Sequence, residues 1–274
     1  AELAEIVSKN KNVRARGSGH SFNSTADSFE TVVVLDALPK EVQFKSDSVI
    51  VSGGMNYAEV AEQLEANGWA LKNLASLPHI SIAGAMATGT HGSGINNGAL
   101  HTSVRSYEIL ETNGNIREIQ QNDSDFYTAL VGIGSTGIIT SLELEIVPSY
   151  EISQTVYAEL SHETFKKNLL EIMSGGYSVN YFTDFTEKRL GDVWFKNRGI
   201  NPPTYFGAKA RTAKVHPIVS EPADATSEQL GIPGPWNQRL LQFRIDANPS
   251  AGVELQSEFF VESKNGPDAF SAIE

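Results

Sequence analysis

The run Ser76-Leu77-Pro78-His79-Ile80-Ser81-Ile82-Ala83-Gly84-Ala85-Met86-Ala87-Thr88-Gly89-Thr90-His91-Gly92-Ser93-Gly94 constrains the fold of this chain more than any other. Glycines and small hydroxyl residues free its backbone of Cβ interference, so it can close on a bulky ligand and present N–H donors to anionic oxygens. Ile80, Ile82, Ala83, Ala85 and Met86 run through its middle, and a solvated loop has little use for them. On these residues alone two readings stand: a phosphate cradle, or an ordinary Gly-rich surface loop.

Composition narrows what such a cradle serves. With 274 residues, 40% apolar and 20% charged, the chain is long enough for two domains and has the make-up of a soluble globular protein. A formal charge of −12 without any basic run argues against nucleic acid and anionic membrane as partners, since both demand clustered Lys and Arg. A small neutral substrate fits better. No segment reaches the roughly 20 apolar residues that span a bilayer, and no signal peptide opens the chain. Zero cysteines exclude disulfides, thiolate metal sites and cysteinyl cofactor links, and agree with the expected cytoplasmic location. The chain has no initiator Met, and Asp268–Glu274 reads as a helix cut short, so a longer parent chain is expected. Oligomeric state has no signal in the sequence.

Leu3, Ile6 and Val7 share one face of an opening helix, after which Val13–Arg16 and Thr31–Leu35 read as strands, the second as a run buried on both faces. Ser48–Ser52 is a further strand. Asn56 and Glu59 form a capping-box pattern for a helix that Gly68 closes. Ser103–Glu111 and Ile116–Ile119 flank the hairpin signal Asn113-Gly114. A short helix beginning at Asp123 or Ser124 runs through Leu130, and Ile138–Val147 returns as a strand. Gly132-Ile-Gly134-Ser-Thr-Gly137 matches the dinucleotide fingerprint, but with a helix before and a strand after, the reverse of what a Rossmann site needs. Mixed short elements without a repeat point to α+β.

The domain boundary is expected at Pro148–Tyr150, giving domains 1–148 and 149–274. Beyond it lie a strand Glu151–Glu159, a helix from Ser161 to Met173 ended by Gly175-Gly176, and strands Tyr177–Asp184 and Asp192–Lys196. Residues 199–236 are proline-rich and aperiodic, the mark of a long functional or mobile excursion. Arg239–Ala247 and Val253–Val261 read as a closing antiparallel pair.

A second glycine-rich run, Arg14-Ala15-Arg16-Gly17-Ser18-Gly19-His20-Ser21-Phe22-Asn23, sets a histidine directly after a flexible turn. Together with Ser76–Gly94 it resembles the vanillyl-alcohol-oxidase-type flavoproteins, most closely the alditol (xylitol) oxidases. The likeness is dense over residues 13–148 and returns at Gly234-Pro235-Trp236 and at Glu254-Leu255-Gln256-Ser257-Glu258. It implies a PCMH-type FAD-binding domain of two α+β subdomains, followed by a partial substrate (cap) domain with an antiparallel sheet and helices. The implied reaction is oxidation of a polyol's primary alcohol, with hydride passing to flavin N5 and dioxygen reduced to hydrogen peroxide. An aldonolactone oxidase or dehydrogenase, or a truncated flavin-binding fragment without activity, remains as the alternative.

The resemblance also assigns residues. His20 matches the histidine that carries FAD covalently; read without it, His20 is a versatile loop imidazole. Arg16, Gly17, Ser18, Gly19 and Ser21 surround it as cofactor contacts. Ser81, Gly84, Thr88, Gly89, Thr90 and His91 match positions lining the pyrophosphate and isoalloxazine, where preorganised N–H groups do the work of a lysine. Without a Gly-Lys-Thr/Ser sequence, a flavin dinucleotide is favoured over a triphosphate. Gly137 and Ile139 are further cofactor contacts. Ser76 matches a serine beside the flavin's reactive edge that hydrogen-bonds a substrate hydroxyl; as a bare sequence it is also a simple loop cap. Ala75, beside it, is expected near flavin C4a or merely packed in the loop. The base and the polyol-binding groups are expected beyond residue 274. A metal site from His20, His79 and His91 is set aside because their spacing is loose and no carboxylate is near. Tyr177, Tyr181, Phe182, Phe185, Trp194 and Phe195 read as sheet core or as a pocket wall, and Glu258 sits on an expected strand with its face undetermined.

Overall fold

The computed structural model describes residues 2–21, 23–218, 221–247 and 256–274. The chain divides into two compact units, one of residues 1–92 with 98–149 and the other of residues 93–97 with 150–274.

The first unit opens with helix Glu2–Lys9, which buries Val7 against Val33, Leu110 and Ile138. Strands Val13–Ala15 and Thr31–Val33 pair in parallel beside it. This pair differs from the expected doubly buried run: Val33 is in the core, while Val32 and Val34 stay 38% and 44% exposed. A pair covered by a helix on one side buries only alternate residues.

Five antiparallel strands form the other part of this unit, in the order Val42–Phe44, Ser48–Ser52, Ile138–Glu145, Val104–Leu110, Ile116–Gln120. Alternation gives the sheet one apolar face: Val49, Val51, Leu142, Leu144, Tyr107 and Ile109 are all buried. The Asn113-Gly114 turn forms as expected, with Gly114 at φ +82°. Helix Tyr57–Ala66 is started by the full capping box, Asn56 Oδ1 accepting from Glu59 N–H at 3.0 Å and the Glu59 carboxylate accepting from Asn56 N–H at 3.1 Å. Helix Phe126–Leu130 precedes residues 132–137 and strand Ile138–Glu145 follows, so the glycine fingerprint there has the reversed context.

In the second unit the strand order is Ser178–Thr183, Leu190–Asn197, Glu151–Ser161, Ala208–Ala210, Thr204–Tyr205. Ser161 caps a helix, but that helix ends at Lys167 and a second one runs Leu169–Ser174, because Asn168 leaves helical geometry at φ −118° and ψ 22°. Tyr157, Phe165, Ile172, Val179 and Phe195 make the core. The terminal helix Gly266–Ile273 lays Phe270 on Phe165 and Tyr181. Of the aromatic cluster, Tyr181 stacks on Phe165 at 4.0 Å and Trp194 packs edge-on to Phe182 at 5.6 Å, so these rings are core and side-to-side packing.

Among the described residues, the expected closing pair Arg239–Ala247 and Val253–Val261 carries no strand. Residues 236–239 are a short helix, residues 253–255 lie outside the described residues, and Gln256–Val261 carries no strand. Glu258 is exposed in this stretch. Residues 242–244 pair instead with residues 225–227, through Ser227 N–H to Gln242 O at 3.1 Å and Arg244 N–H to Ala225 O at 2.9 Å, while buried Lys196 Nζ donates to Leu240 O.

Candidate functional site

The Gly17-Ser18-Gly19 turn leaves the C-terminal end of strand Val13–Ala15, directly after Arg16 N–H has donated to Val33 O at 2.9 Å. Across from it, Ser81 stands at the N-cap of helix Ile82–Ala87 without a side-chain capping bond. The two loops are stitched together by Ser81 N–H donating to Ser18 Oγ at 3.2 Å. Backbone proximity here demands glycine. A Cβ on Gly17 would lie 2.0 Å from Ser81 Oγ, and one on Gly84 would lie 2.6 Å from the same atom.

These loops wall a cavity of about 320 Å³ inside the first unit. Of the expected cofactor residues, Arg16, Gly17, Ser18, Gly19, His20, Ser21, Ser81, Gly84, Thr88, Thr90, Gly137 and Ile139 line it. Ser76, Gly89 and His91 do not. Ser76 is exposed, and Ala75 next to it is 5% exposed and packed. Gly89 takes φ +67° at the end of the helix, and His91 Nδ1 contacts Gly92 O at 2.7 Å. A Cβ on Gly92 would meet Asn73 Oδ1 and Leu74 O, both at 2.3 Å, so that glycine serves loop-to-loop packing.

Val34, Leu35, Asp36, Gly53 and Gly54, with His79 from the first loop, also line the cavity, and the sequence did not mark them as cofactor residues. Gly53-Gly54 directly after a strand was the available signal. A Cβ on Gly54 would stand 2.0 Å from Leu35 O, and one on Gly53 would stand 2.4 Å from Ile139 O, so the pair lets three backbone segments close around one space.

The lining suits a bulky planar ligand carrying phosphates. Its walls are mostly backbone and small side chains; N–H donors and hydroxyls predominate among its polar groups, beside the imidazoles of His20 and His79, the Asn56 amide and the Asp36 carboxylate, and Arg16 is the one Arg or Lys among the described lining residues. Thr88 Oγ1 lies 3.0 Å from Gly84 O and 3.1 Å from Thr90 Oγ1, so these hydroxyls are prearranged at one edge.

Comparison with known proteins decides the family. The family described as FAD binding domain matches residues 1–120. Over its whole length the chain is 39% identical to an alditol oxidase of Streptomyces, covering 67% of that protein. The chain belongs to the alditol oxidase group of FAD-linked flavoproteins. An L-gulono-1,4-lactone dehydrogenase of Mycobacterium tuberculosis is more distant, 28% identical over 74% of this chain and 49% of that protein. A cholesterol oxidase variant from Brevibacterium sterolicum shares the fold at a TM-score of 0.63, with 15% identity, over 74% of this chain and 43% of its own. The cofactor of this flavoprotein is FAD, and its mixed α+β architecture is that of the PCMH-type FAD-binding proteins. The chain spans about two thirds of the Streptomyces relative and about half of the mycobacterial one. Among the described residues, no helix is long and apolar enough to cross a membrane.

Proposed function

We propose that this flavoprotein oxidises the primary alcohol of a polyol such as xylitol or sorbitol, with dioxygen as acceptor. The observation that carries the reading is the meeting of the Arg16–Ser21 and Ser81–Thr90 loops on one glycine-walled cavity, in a chain similar to an alditol oxidase along its full length. Residues 1–148 are the FAD-binding domain and 149–274 belong to the substrate domain; the division into compact units at residues 149 and 150 supports this. A cytoplasmic location belongs to the same proposal.

Bound FAD supplies a two-electron acceptor that takes hydride from a carbinol carbon and returns the electrons to dioxygen, giving hydrogen peroxide. The chain's own residues do the rest. Arg16 and the N–H groups of the two loops neutralise the pyrophosphate. His20 would hold the isoalloxazine by its imidazole, and a covalent link there would fix the ring's position and make the bound flavin a stronger acceptor. Ser76 offers a hydroxyl to a substrate hydroxyl. A polyol has no charge to grip, so each such contact contributes only about 1 kcal/mol and recognition needs several.

The test is peroxide production by the purified protein across a substrate panel. Xylitol and sorbitol should exceed L-gulono- and D-arabinono-lactones by at least about tenfold in kcat/KM, a gap of about 1.4 kcal/mol. Preference for the lactones would replace this reading with the lactone oxidase or dehydrogenase, and no peroxide from any of them would leave a flavin carrier.

A further inference from the structure

Asp36 is the one carboxylate among the described residues lining the FAD cavity. It follows strand Thr31–Val33, which pairs in parallel with Val13–Ala15, and the turn that carries it is closed by Leu38 N–H donating to Leu35 O at 3.0 Å, an oxygen that a Cβ on Gly54 would meet at 2.0 Å. No hydrogen bond or ion pair within the described residues engages its side chain.

Asp36 is exposed, so water solvates it in the free protein; beside a bound dianionic pyrophosphate a carboxylate is repelled by the phosphates and complements a part of the ligand that carries donors. Arg16 leaves the C-terminal end of the first parallel strand and Asp36 follows the C-terminal end of the second, so the cavity's cationic and anionic groups come from adjacent strand ends. Asp36 also stands 19 positions after Gly17. A Gly-x-Gly turn after one parallel strand, with an acid about 20 residues on, is the arrangement by which doubly wound dinucleotide sites hold a ribose diol. Here it occurs without the crossover α-helix, a 3₁₀ turn Ser24–Ala26 lying in the connection instead.

We propose that Asp36 recognises the adenosine half of FAD, its two carboxylate oxygens accepting the 2′- and 3′-hydroxyl hydrogens of the ribose, so that the site selects the dinucleotide over FMN. The proposal rests on the FAD assignment and is tested separately from it.

The experiment uses the whole chain carrying His20→Ala, so that flavin exchanges freely, with and without Asp36→Ala. Flavin fluorescence quenching gives Kd for FAD, for FMN and for FAD built on 2′-deoxyadenosine. Loss of a hydrogen-bonded charge predicts FAD binding weakened roughly tenfold to a hundredfold by Asp36→Ala, with FMN unchanged. The 2′-deoxy analogue should bind the Asp36 protein more weakly than FAD does and should lose less than FAD on substitution. Equal losses for FAD and FMN would make Asp36 a loop-shaping residue and overturn the proposal, as would an unchanged FAD affinity. If the parent protein takes up neither flavin, the FAD assignment itself falls, and the proposal with it.

Discussion

His20→Ala is expected to release all flavin when the protein is precipitated with acid, while the unsubstituted chain keeps its yellow colour in the pellet. His20 lies at the turn after Gly19, exposed and lining the cavity, so its ring can reach a bound cofactor without any rearrangement of the core. The substituted protein should still bind FAD reversibly, because the stitched loops, Arg16 and the glycine walls remain. With the electron-withdrawing link gone, its flavin should be a weaker hydride acceptor, and alcohol oxidation should slow by about tenfold or more, that is by at least about 1.4 kcal/mol of barrier. Flavin that washes out of the unsubstituted protein on denaturation would exclude the covalent bond while leaving FAD binding intact.

Lys196 is expected to dominate the pH dependence of stability between neutrality and pH 10. Burial pushes its ammonium pKa from 10.5 down to about 7. The unfolded chain therefore holds this proton across a range in which the folded chain has released it, and unfolding takes up a proton there. Stability contributed by this group is full above pH 10.5 and is lost as pH falls toward 7, with a slope of at most about 1.4 kcal/mol per pH unit. Tyr107, Tyr157 and Tyr205, pushed up to about 12 by burial, act in the opposite direction only above about pH 10, so the window from about 7.5 to about 9.5 isolates the lysine. Denaturant unfolding of Lys196→Met should lose the rise seen in the unsubstituted chain. Its Leu240 carbonyl loses a donor, a pH-independent cost of about 1–3 kcal/mol. Parallel curves for the two proteins would show that the lysine is protonated throughout.

Local chemistry was legible in the sequence. Asn56 and Glu59 announced their helix because both partners of the capping box lie within one turn, and the glycine-rich loops announced a close backbone approach through residue type alone. Features made by distant segments were not. Gly53 and Gly54 gain their meaning from Ile139 O and Leu35 O, and Asp36 gains its meaning from a parallel pairing that no periodicity encodes. Leu240–Phe243 has enough apolar residues for a strand, yet the Leu240 carbonyl accepts from Lys196, 44 residues upstream, and Phe243 makes only an isolated bridge with Thr226. Asn168 breaks a helix whose apolar spacing runs on unbroken, a local choice of dihedral that the hydrophobic pattern does not register.

Anaerobic addition of xylitol to the purified, flavin-loaded protein shows whether this FAD site takes electrons from a polyol. The visible flavin band is expected to bleach and to return on admission of air, with one hydrogen peroxide formed per flavin. A band that bleaches with a chemical reductant but stays unchanged in xylitol and sorbitol would contradict polyol oxidation.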